Sequence, residues 1–326
     1  MSETTVSPPI LLQLGGERTR SSRSLWADAW RRLRRNRLAM FGLYVILGFL
    51  LLSFIGPLFS PYDYFTTDLT VAKQGPSAQH WMGTDTIGRD VLTRILYGGR
   101  TALLVGLMVV GLSTGMGILL GGISAYAGGA VDTIIMRIAD IFMAFPALLL
   151  AIFIDATVKK PAAESLYQLY EQTGYSILSN RVALDYLIGF GALALASWPY
   201  PGRLVRGQVL SIREENYVLA ARAVGAKPWH ILRHHVIPNS LSPLIVSMSA
   251  GFGGAMLAEA SLSYLGLGIQ PPGASWGQMI SDAQVTWRQF PHLILMPGLV
   301  LSIVVFAANM LGEGLNDALN VRQSSS

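Results

Sequence analysis

The chain has 326 residues, of which 52% are hydrophobic and only 13% are charged, and its formal net charge is +5. Soluble domains usually contain about 25% charged residues, so this composition, with a mean hydropathy of +0.45, indicates a membrane protein. The absence of cysteine excludes disulfides, thiolate metal sites and cysteine nucleophiles. The basic residues flank apolar segments, which is the positive-inside pattern of a membrane protein and not a nucleic-acid-binding surface.

The N-terminal part of the chain divides into three segments, at residues 1–24, 25–37 and 38–60. Residues 1–24 are polar and predict a disordered cytoplasmic tail. In residues 25–37, apolar side chains recur at helical spacing among arginines, which predicts a basic amphipathic helix on an anionic lipid surface. The apolar run at 38–60 is too long for a cleaved signal peptide. We therefore expect it to be the first transmembrane helix, with the N-terminus in the cytoplasm.

The next segment, residues 61–100, is expected on the outer side of the membrane. Asp85 precedes Arg89 by four residues, and Asp90 precedes Arg94 by four. This spacing allows ion pairs along one helix face. A catalytic acid–base cluster would need a paired nucleophile or metal-ligand spacing. Neither is present, so these residues predict a salt-bridged scaffold for the outer loop.

Residues 101–312 contain further apolar runs long enough for membrane helices. The predicted spans are residues 102–126, 134–154, 184–198, 241–262 and 291–311. With the first span they make an all-α polytopic membrane protein with six transmembrane helices, an N-terminal interfacial helix, and both termini in the cytoplasm. Residues 313–326 are expected to be a cytoplasmic tail.

The second and third of these spans carry unusual residues. Gly111 and Gly115 form a small-xxx-small pair, as do Gly117 and Gly121, and such pairs allow close helix approach in lipid. Pro146 interrupts the third span.

Two acidic residues fall within predicted spans. Glu259 lies near the outer end of the fifth span and Asp140 in the cytoplasmic half of the third. An acid at membrane depth costs roughly 2.5–3.5 kcal/mol on insertion scales and is a functional hypothesis by default. Both are therefore candidates for the translocation pathway, and structural hydrogen bonding is the alternative for both.

Residues 213–238 form a polar, basic interruption between the fourth and fifth spans. The pattern predicts a helix, a break at Gly225 and a second short amphipathic helix that exposes Trp229 and Ile231. Periodicity leaves two interpretations open. The second helix either inserts into a groove of a partner protein or lies on the lipid surface.

Within this interruption, Ala220-Ala221 are followed after three further residues by Gly225, and Pro238 ends the segment. This spacing resembles the EAA loop of ABC importer permeases. The resemblance assigns ATPase coupling to Ala220, Ala221, Gly225, Ala226, Trp229, Ile231 and Pro238.

The chain departs from the loop pattern at Leu219, His235 and Ile237, where the pattern has Glu, Ile and Leu. The resemblance nevertheless extends over nearly the whole chain. Residues 83–94 (GTDTIGRDVLTR) and 259–272 (EASLSYLGLGIQPP) are similar to the dipeptide/oligopeptide/nickel permease family. Within that family the chain resembles the subunit type that has an extra N-terminal helix.

The resemblance implies one permease subunit of a five-part importer in a bacterial cytoplasmic membrane. Its partners would be a second permease, two ATPase subunits and an extracytoplasmic solute-binding protein, which the outer-loop charges would contact. The chain has no G-x-x-x-x-G-K-[ST] phosphate loop, so ATP and Mg²⁺ are expected on the ATPases, with no cofactor or metal in this chain. The implied solutes are dipeptides or oligopeptides, and nickel chelates or other small solutes are the alternative.

Two other classes of function remain open. A self-sufficient channel or ion-coupled carrier would need intramembrane charges on several spans and no docking loop. An intramembrane protease would need a serine nucleophile, but Ser197 and Ser263 lack a G-x-S-x-G frame.

Overall fold

The computed structural model of the chain describes residues 25–175, 181–223, 225 and 237–319. Within these ranges the backbone forms eleven α-helices and one 3₁₀ turn, Leu69–Val71. In chain order the helices are α1 (Leu25–Arg35), α2 (Arg37–Phe59), α3 (Val91–Ala127), α4 (Gly129–Ala144), α5 (Ala147–Thr173), α6 (Arg181–Ser197), α7 (Pro199–Ile212), α8 (Asn216–Ala223), α9 (Ile237–Tyr264), α10 (Trp276–Ala283) and α11 (His292–Leu319). The predicted all-α membrane fold is confirmed.

Six membrane-crossing helices were expected. In the described part of the chain, fewer than six single helices are long and apolar enough to cross a membrane. The helices α2, α3, α9 and α11 are long and apolar enough to cross a membrane. The pair α4–α5 adds a fifth crossing if it is one span, but it bends by 100° next to Pro146. The helix α6 has an apolar part of only 12 residues, Tyr186–Ser197.

The predicted fourth span does not stop at Pro199. Trp198 N donates to Ala194 O at 3.1 Å, and Gly202 N donates to Trp198 O at 2.9 Å, so the chain passes from α6 directly into α7. Pro199 is the first residue of α7, where its missing N–H would have no intrahelical partner in any case.

The two ends of the described chain pack together. Asn36 caps α2, because its Oδ1 accepts hydrogen bonds from Leu38 N and Ala39 N, each at 3.1 Å. The apolar face of α1 contacts the last turns of α11, with Leu33 and Ala318 in one buried cluster. Residues 313–319, predicted as tail, are therefore helical, and α1 is covered by protein on the side that we expected to face lipid.

The centre of the fold is the 37-residue helix α3. A methyl group added at Gly117 would lie 2.8 Å from Gly202 N, and one at Gly121 would collide with Gly202 O, so α3 and α7 cross with their backbones in contact. The other predicted pair, Gly111 and Gly115, has no atom within 4 Å of an added methyl group. Among the described residues, the pair Gly117 and Gly121 makes a close helix contact and the pair Gly111 and Gly115 does not.

Candidate functional site

The first half of the predicted coupling segment is anchored to the helix core. After α7 ends, Glu215 N donates to Ile212 O at 3.1 Å, and α8 begins at Asn216. Val218 of α8 is fully buried in a cluster with Val209 of α7 and Leu244 of α9. The side chain of Val218 therefore packs α8 against both neighbouring helices.

The structure describes some of the other residues predicted to couple to the ATPase and leaves out the rest. Gly225 has φ = +83°, a left-handed conformation that glycine adopts without strain. Leu219, six residues earlier in the segment, is 48% exposed. Pro238 is the second residue of α9, while Ala220 and Ala221 lie in α8. Ala226, Trp229 and Ile231 lie outside the described residues, so their roles remain predictions.

Two aspartates of α4 form ion pairs with two arginines of α7. Arg206 Nε and Nη2 donate to the two carboxylate oxygens of Asp132, both at 2.6 Å. Ser124 at the end of α3 also donates to Asp132. Arg203 pairs with Asp140. We call these four residues of α4 and α7 the α4–α7 clamp.

The clamp borders an open cavity of about 430 Å³. The cavity is lined by Asp132, Thr133, Met136, Arg137, Asp140, Arg203 and Arg206. Its lining has three arginines and two aspartates and therefore a formal charge of +1 (3 − 2). Asp140, predicted as a pathway residue, thus lies in a charged cavity beside the helix that leads into the coupling segment.

The outer-loop charges converge on Asp85. Its Oδ1 accepts hydrogen bonds from Ile87 N at 3.0 Å and Arg89 N at 2.9 Å, and its Oδ2 accepts one from Arg89 Nε at 2.6 Å. Arg89 Nη2 reaches Asp282 Oδ2 of α10 at 3.4 Å. Burial raises the pKa of Asp282, and the positive charges of Arg89 and Arg94 oppose that shift. This outer cluster ties the segment before α3 to α10.

The predicted pair between Asp90 and Arg94 is wrong. Asp90 is the N-cap of α3, and its Oδ2 accepts from Thr93 N at 2.8 Å, while its Oδ1 lies 2.9 Å from His80 Nδ1. An N-cap carboxylate turns towards the free N–H groups of the first turn and away from the helix face that carries Arg94. Arg94 Nη1 donates to Tyr64 O at 3.2 Å, and its Nε lies 3.7 Å from Asp85 Oδ2.

Glu259 is enclosed by protein in this conformation. The residue is only 2% exposed, and its Oε1 accepts a hydrogen bond from Ser263 Oγ at 2.7 Å. Ser263 Oγ in turn accepts one from Ile269 N at 3.3 Å. The carboxyl therefore stabilises the loop that follows α9, and of the two predicted pathway acids only Asp140 borders one of the cavities described here.

Comparison with protein-family models places these features in a known group. Residues 117–325 match the model of the binding-protein-dependent transport system inner membrane component. The chain belongs to this family. Residues 24–76 match a second model, the N-terminal TM domain of oligopeptide transport permease C, which covers α1 and α2.

Individual relatives of this permease align over almost its whole length. The dipeptide transport system permease protein DppC of Alkalihalophilus pseudofirmus is 40% identical over 93% of this chain and 91% of its own. The oligopeptide transport system permease protein OppC of Bacillus subtilis is 37% identical over 93% and 91%. The glutathione transport system permease protein GsiD of Pectobacterium atrosepticum is 37% identical over 94% and 95%.

Sequence reasoning missed several residues that hold the permease together. Val218 was not among the residues singled out in the coupling segment, yet it is fully buried against α7 and α9. Asp132 and its partner Arg206 are 74 residues apart. The recurrence of two aspartates on α4 and two arginines on α7 was a signal, but only the fold brings the two sets together.

Proposed function

We propose that this chain is a permease subunit of an ATP-driven importer of dipeptides or oligopeptides. The observation that carries this proposal is the 40% identity with a dipeptide permease over 93% of the chain. The oligopeptide and glutathione permeases, at 37% identity each, support a solute of the peptide type, because glutathione is itself a modified tripeptide. Nickel chelates are the alternative solute class.

The proposed assembly contains a second permease, two ATPase subunits and an extracytoplasmic solute-binding protein. ATP and Mg²⁺ would be bound by the ATPases, and residues 213–238 of this chain would dock on one of them. The anchoring of Val218 between α7 and α9 supports that role, because force applied to α8 would act on two helices of the core.

The proposed mechanism is a shift of population between inward-facing and outward-facing states. ATPase closure would displace the coupling segment and with it α7. The α4–α7 clamp would carry the movement to α4 and to the bend beside Pro146. The ligand that drives this shift is ATP bound to the partner ATPases. ATP can shift the equilibrium only by the difference between its affinities for the two states.

We further propose a location in a bacterial inner membrane with both termini on the cytoplasmic side. The arginines of α1 and α7 then lie with the coupling segment in the cytoplasm, as the positive-inside rule requires. The outer cluster around Asp85 then faces the solute-binding protein.

The decisive experiment is assembly followed by reconstitution. Affinity-tagged chain should co-purify with an ATPase and a second permease, and proteoliposomes of the complex with the solute-binding protein should take up radiolabelled dialanine only with ATP. Unlabelled oligopeptides, glutathione and a nickel chelate, added as competitors, distinguish the solute classes. Uptake by the isolated chain without ATPase would instead establish the channel or carrier class.

A backbone variant tests the coupling assignment separately. Proline is locked near φ = −65°, so Gly225→Pro cannot adopt the φ of +83° found at this position. The variant should insert normally but lose ATPase co-purification and import. Import at the parent rate would overturn the assignment of coupling to this segment.

A further inference from the structure

A second cavity, of about 260 Å³, lies between α3, the α6–α7 junction and α9. Five hydroxyl side chains from these elements line it: Ser113, Thr114, Ser197, Tyr200 and Ser247. The other lining residues in the described part of the chain are apolar or glycine, and none is charged. The cavity is therefore a place where hydroxyl groups converge within the apolar part of the protein.

Exposed hydroxyl groups elsewhere in the described helices bind their own backbone. Ser261 Oγ of α9 donates to Leu257 O and Ser302 Oγ of α11 to Gly298 O, both at 2.8 Å. Each such group satisfies its hydrogen within its own helix. Ser113 does the same with Val110 O at 3.2 Å, but its oxygen keeps lone pairs that border the cavity. Convergence of several hydroxyls from three elements thus separates this cavity from the ordinary helix surface.

We infer that this cavity is the part of the translocation pathway that this subunit supplies, and that its hydroxyls bind the main-chain amides of a passing short peptide. This inference rests on the proposed function. A peptide amide without a hydrogen-bond partner pays roughly 2–7 kcal/mol on leaving water. A rotating hydroxyl both donates and accepts, so it serves N–H and C=O groups alike.

The lining fits solutes that share a main chain and differ in their side chains. A surface without fixed charge neither attracts nor repels particular side chains, whereas main-chain groups are common to all peptides. Gly251 and Gly254 of α9 leave room beside the hydroxyls, and a methyl group added at Gly254 would meet no atom within 4 Å. At 260 Å³ the cavity falls just below the roughly 300–1,000 Å³ typical of ligand sites, which suits a half-site completed by the second permease.

Cysteine accessibility tests the inference directly, because the chain contains no cysteine. Ser247→Cys and the control Ser302→Cys are placed in the full complex in proteoliposomes and treated with 2-sulfonatoethyl methanethiosulfonate, a charged reagent. The thiolate is the reacting form and needs water, so Ser247→Cys should be modified at least about tenfold faster than the control. Dialanine with ATP and the solute-binding protein should slow that reaction. Equal rates for the two variants, or a rate that dialanine does not change, would overturn the inference.

Filling the cavity provides the second test. Gly254→Leu places a side chain in the cavity, whereas Gly298→Leu places one on α11, where an added methyl group also meets no atom within 4 Å. Gly254→Leu should assemble normally and lose at least about tenfold in import, since overpacking a binding site blocks it, while Gly298→Leu should import like the parent.

The outcomes separate this inference from the proposed function. A parent complex that imports no peptide contradicts the proposed function itself. A parent complex that imports, together with Gly254→Leu and Ser247→Cys variants that behave like their controls, contradicts only the pathway assignment.

Discussion

The outer cluster and the α4–α7 clamp are built from the same two residue types but differ in burial. In the outer cluster the side chain of Arg94 is 1% exposed, whereas in the clamp that of Arg203 is 44% exposed. Asp85 also accepts two backbone N–H groups, while the clamp carboxylates bind side chains of other helices. One set of charges is fixed within a folded loop, and the other joins two helices across an open cavity.

From this difference we expect the outer cluster to stay rigid and the clamp to move. Removing one member of a buried ion pair leaves an uncompensated charge and costs about 3–5 kcal/mol, whereas an exposed pair contributes about 0.2–1 kcal/mol. The Arg203–Asp140 pair of the clamp is of the second kind, and we expect it to break and re-form during transport. We therefore expect variants of the outer cluster to lose stability and variants of the clamp to lose coupling.

The largest effect is expected for Asp85→Ala. The change removes the Asp85 carboxylate from the buried Arg89 and Arg94 and leaves Arg89 only its 3.4 Å contact with Asp282, at a cost of about 3–5 kcal/mol. Thermal unfolding of the purified subunit in detergent should show a strongly lowered midpoint. Asp63→Ala, an exposed aspartate of the same segment, is the control and should unfold like the parent. Parent-like stability of Asp85→Ala would show that the outer cluster is not a scaffold.

Val218→Asp should have the next largest effect. It places a carboxylate in the apolar cluster between α7 and α9, where an unpaired charge is costly. The helix α8 should detach from the core, so that ATP hydrolysis no longer drives uptake. The measurement is the ratio of solute imported to ATP hydrolysed in proteoliposomes. Val218→Ile keeps the apolar contact and is the matched control; a parent ratio in Val218→Asp would contradict the transmission of force through this residue.

The charge reversal Asp132→Arg tests the clamp. It sets two cations against each other where Arg206 now makes two hydrogen bonds of 2.6 Å, so import should fall roughly tenfold, equivalent to about 1.4 kcal/mol, with a smaller loss of thermal stability. The double variant Asp132→Arg with Arg206→Asp restores an attractive pair and should recover import. Absence of recovery would mean that the pairing itself does not carry the movement.

The comparison of the two charged regions also shows what the sequence predicts and what it does not. Local signals were informative: the left-handed Gly225 lies where the helix break was expected, and Asp85 pairs with Arg89 at the predicted spacing of four. The pairing of Asp90 with Arg94 failed although its spacing is the same. The reason is that Asp90 precedes the first turn of α3 and acts as its cap.

Long-range features could not be predicted, because no periodicity connects distant segments. Asp140 was recognised as an unusual acid, but Arg203, which lies 63 residues later, was not recognised as its partner. Burial of Glu259 by the loop after α9 is a tertiary effect of the same kind. The hydroxyls of the second cavity come from α3, the α6–α7 junction and α9, and each alone is an ordinary hydroxyl side chain of a membrane helix.

The smallest effect is expected for Leu219→Glu, which gives this chain the glutamate of the EAA pattern. Leu219 follows the buried Val218 directly but is 48% exposed, so an added carboxylate stays in contact with water and should change thermal stability little. If α8 docks on an ATPase with this face, the variant should co-purify with the ATPase at least as well as the parent, and the salt sensitivity of the complex should increase because a charged contact is screened by ions. Leu219→Lys reverses the charge at the same exposed position and is the matched control, expected to weaken the complex. Equal binding by both variants would show that the surface around residue 219 does not contact the ATPase, and that coupling depends on the helix beyond Gly225.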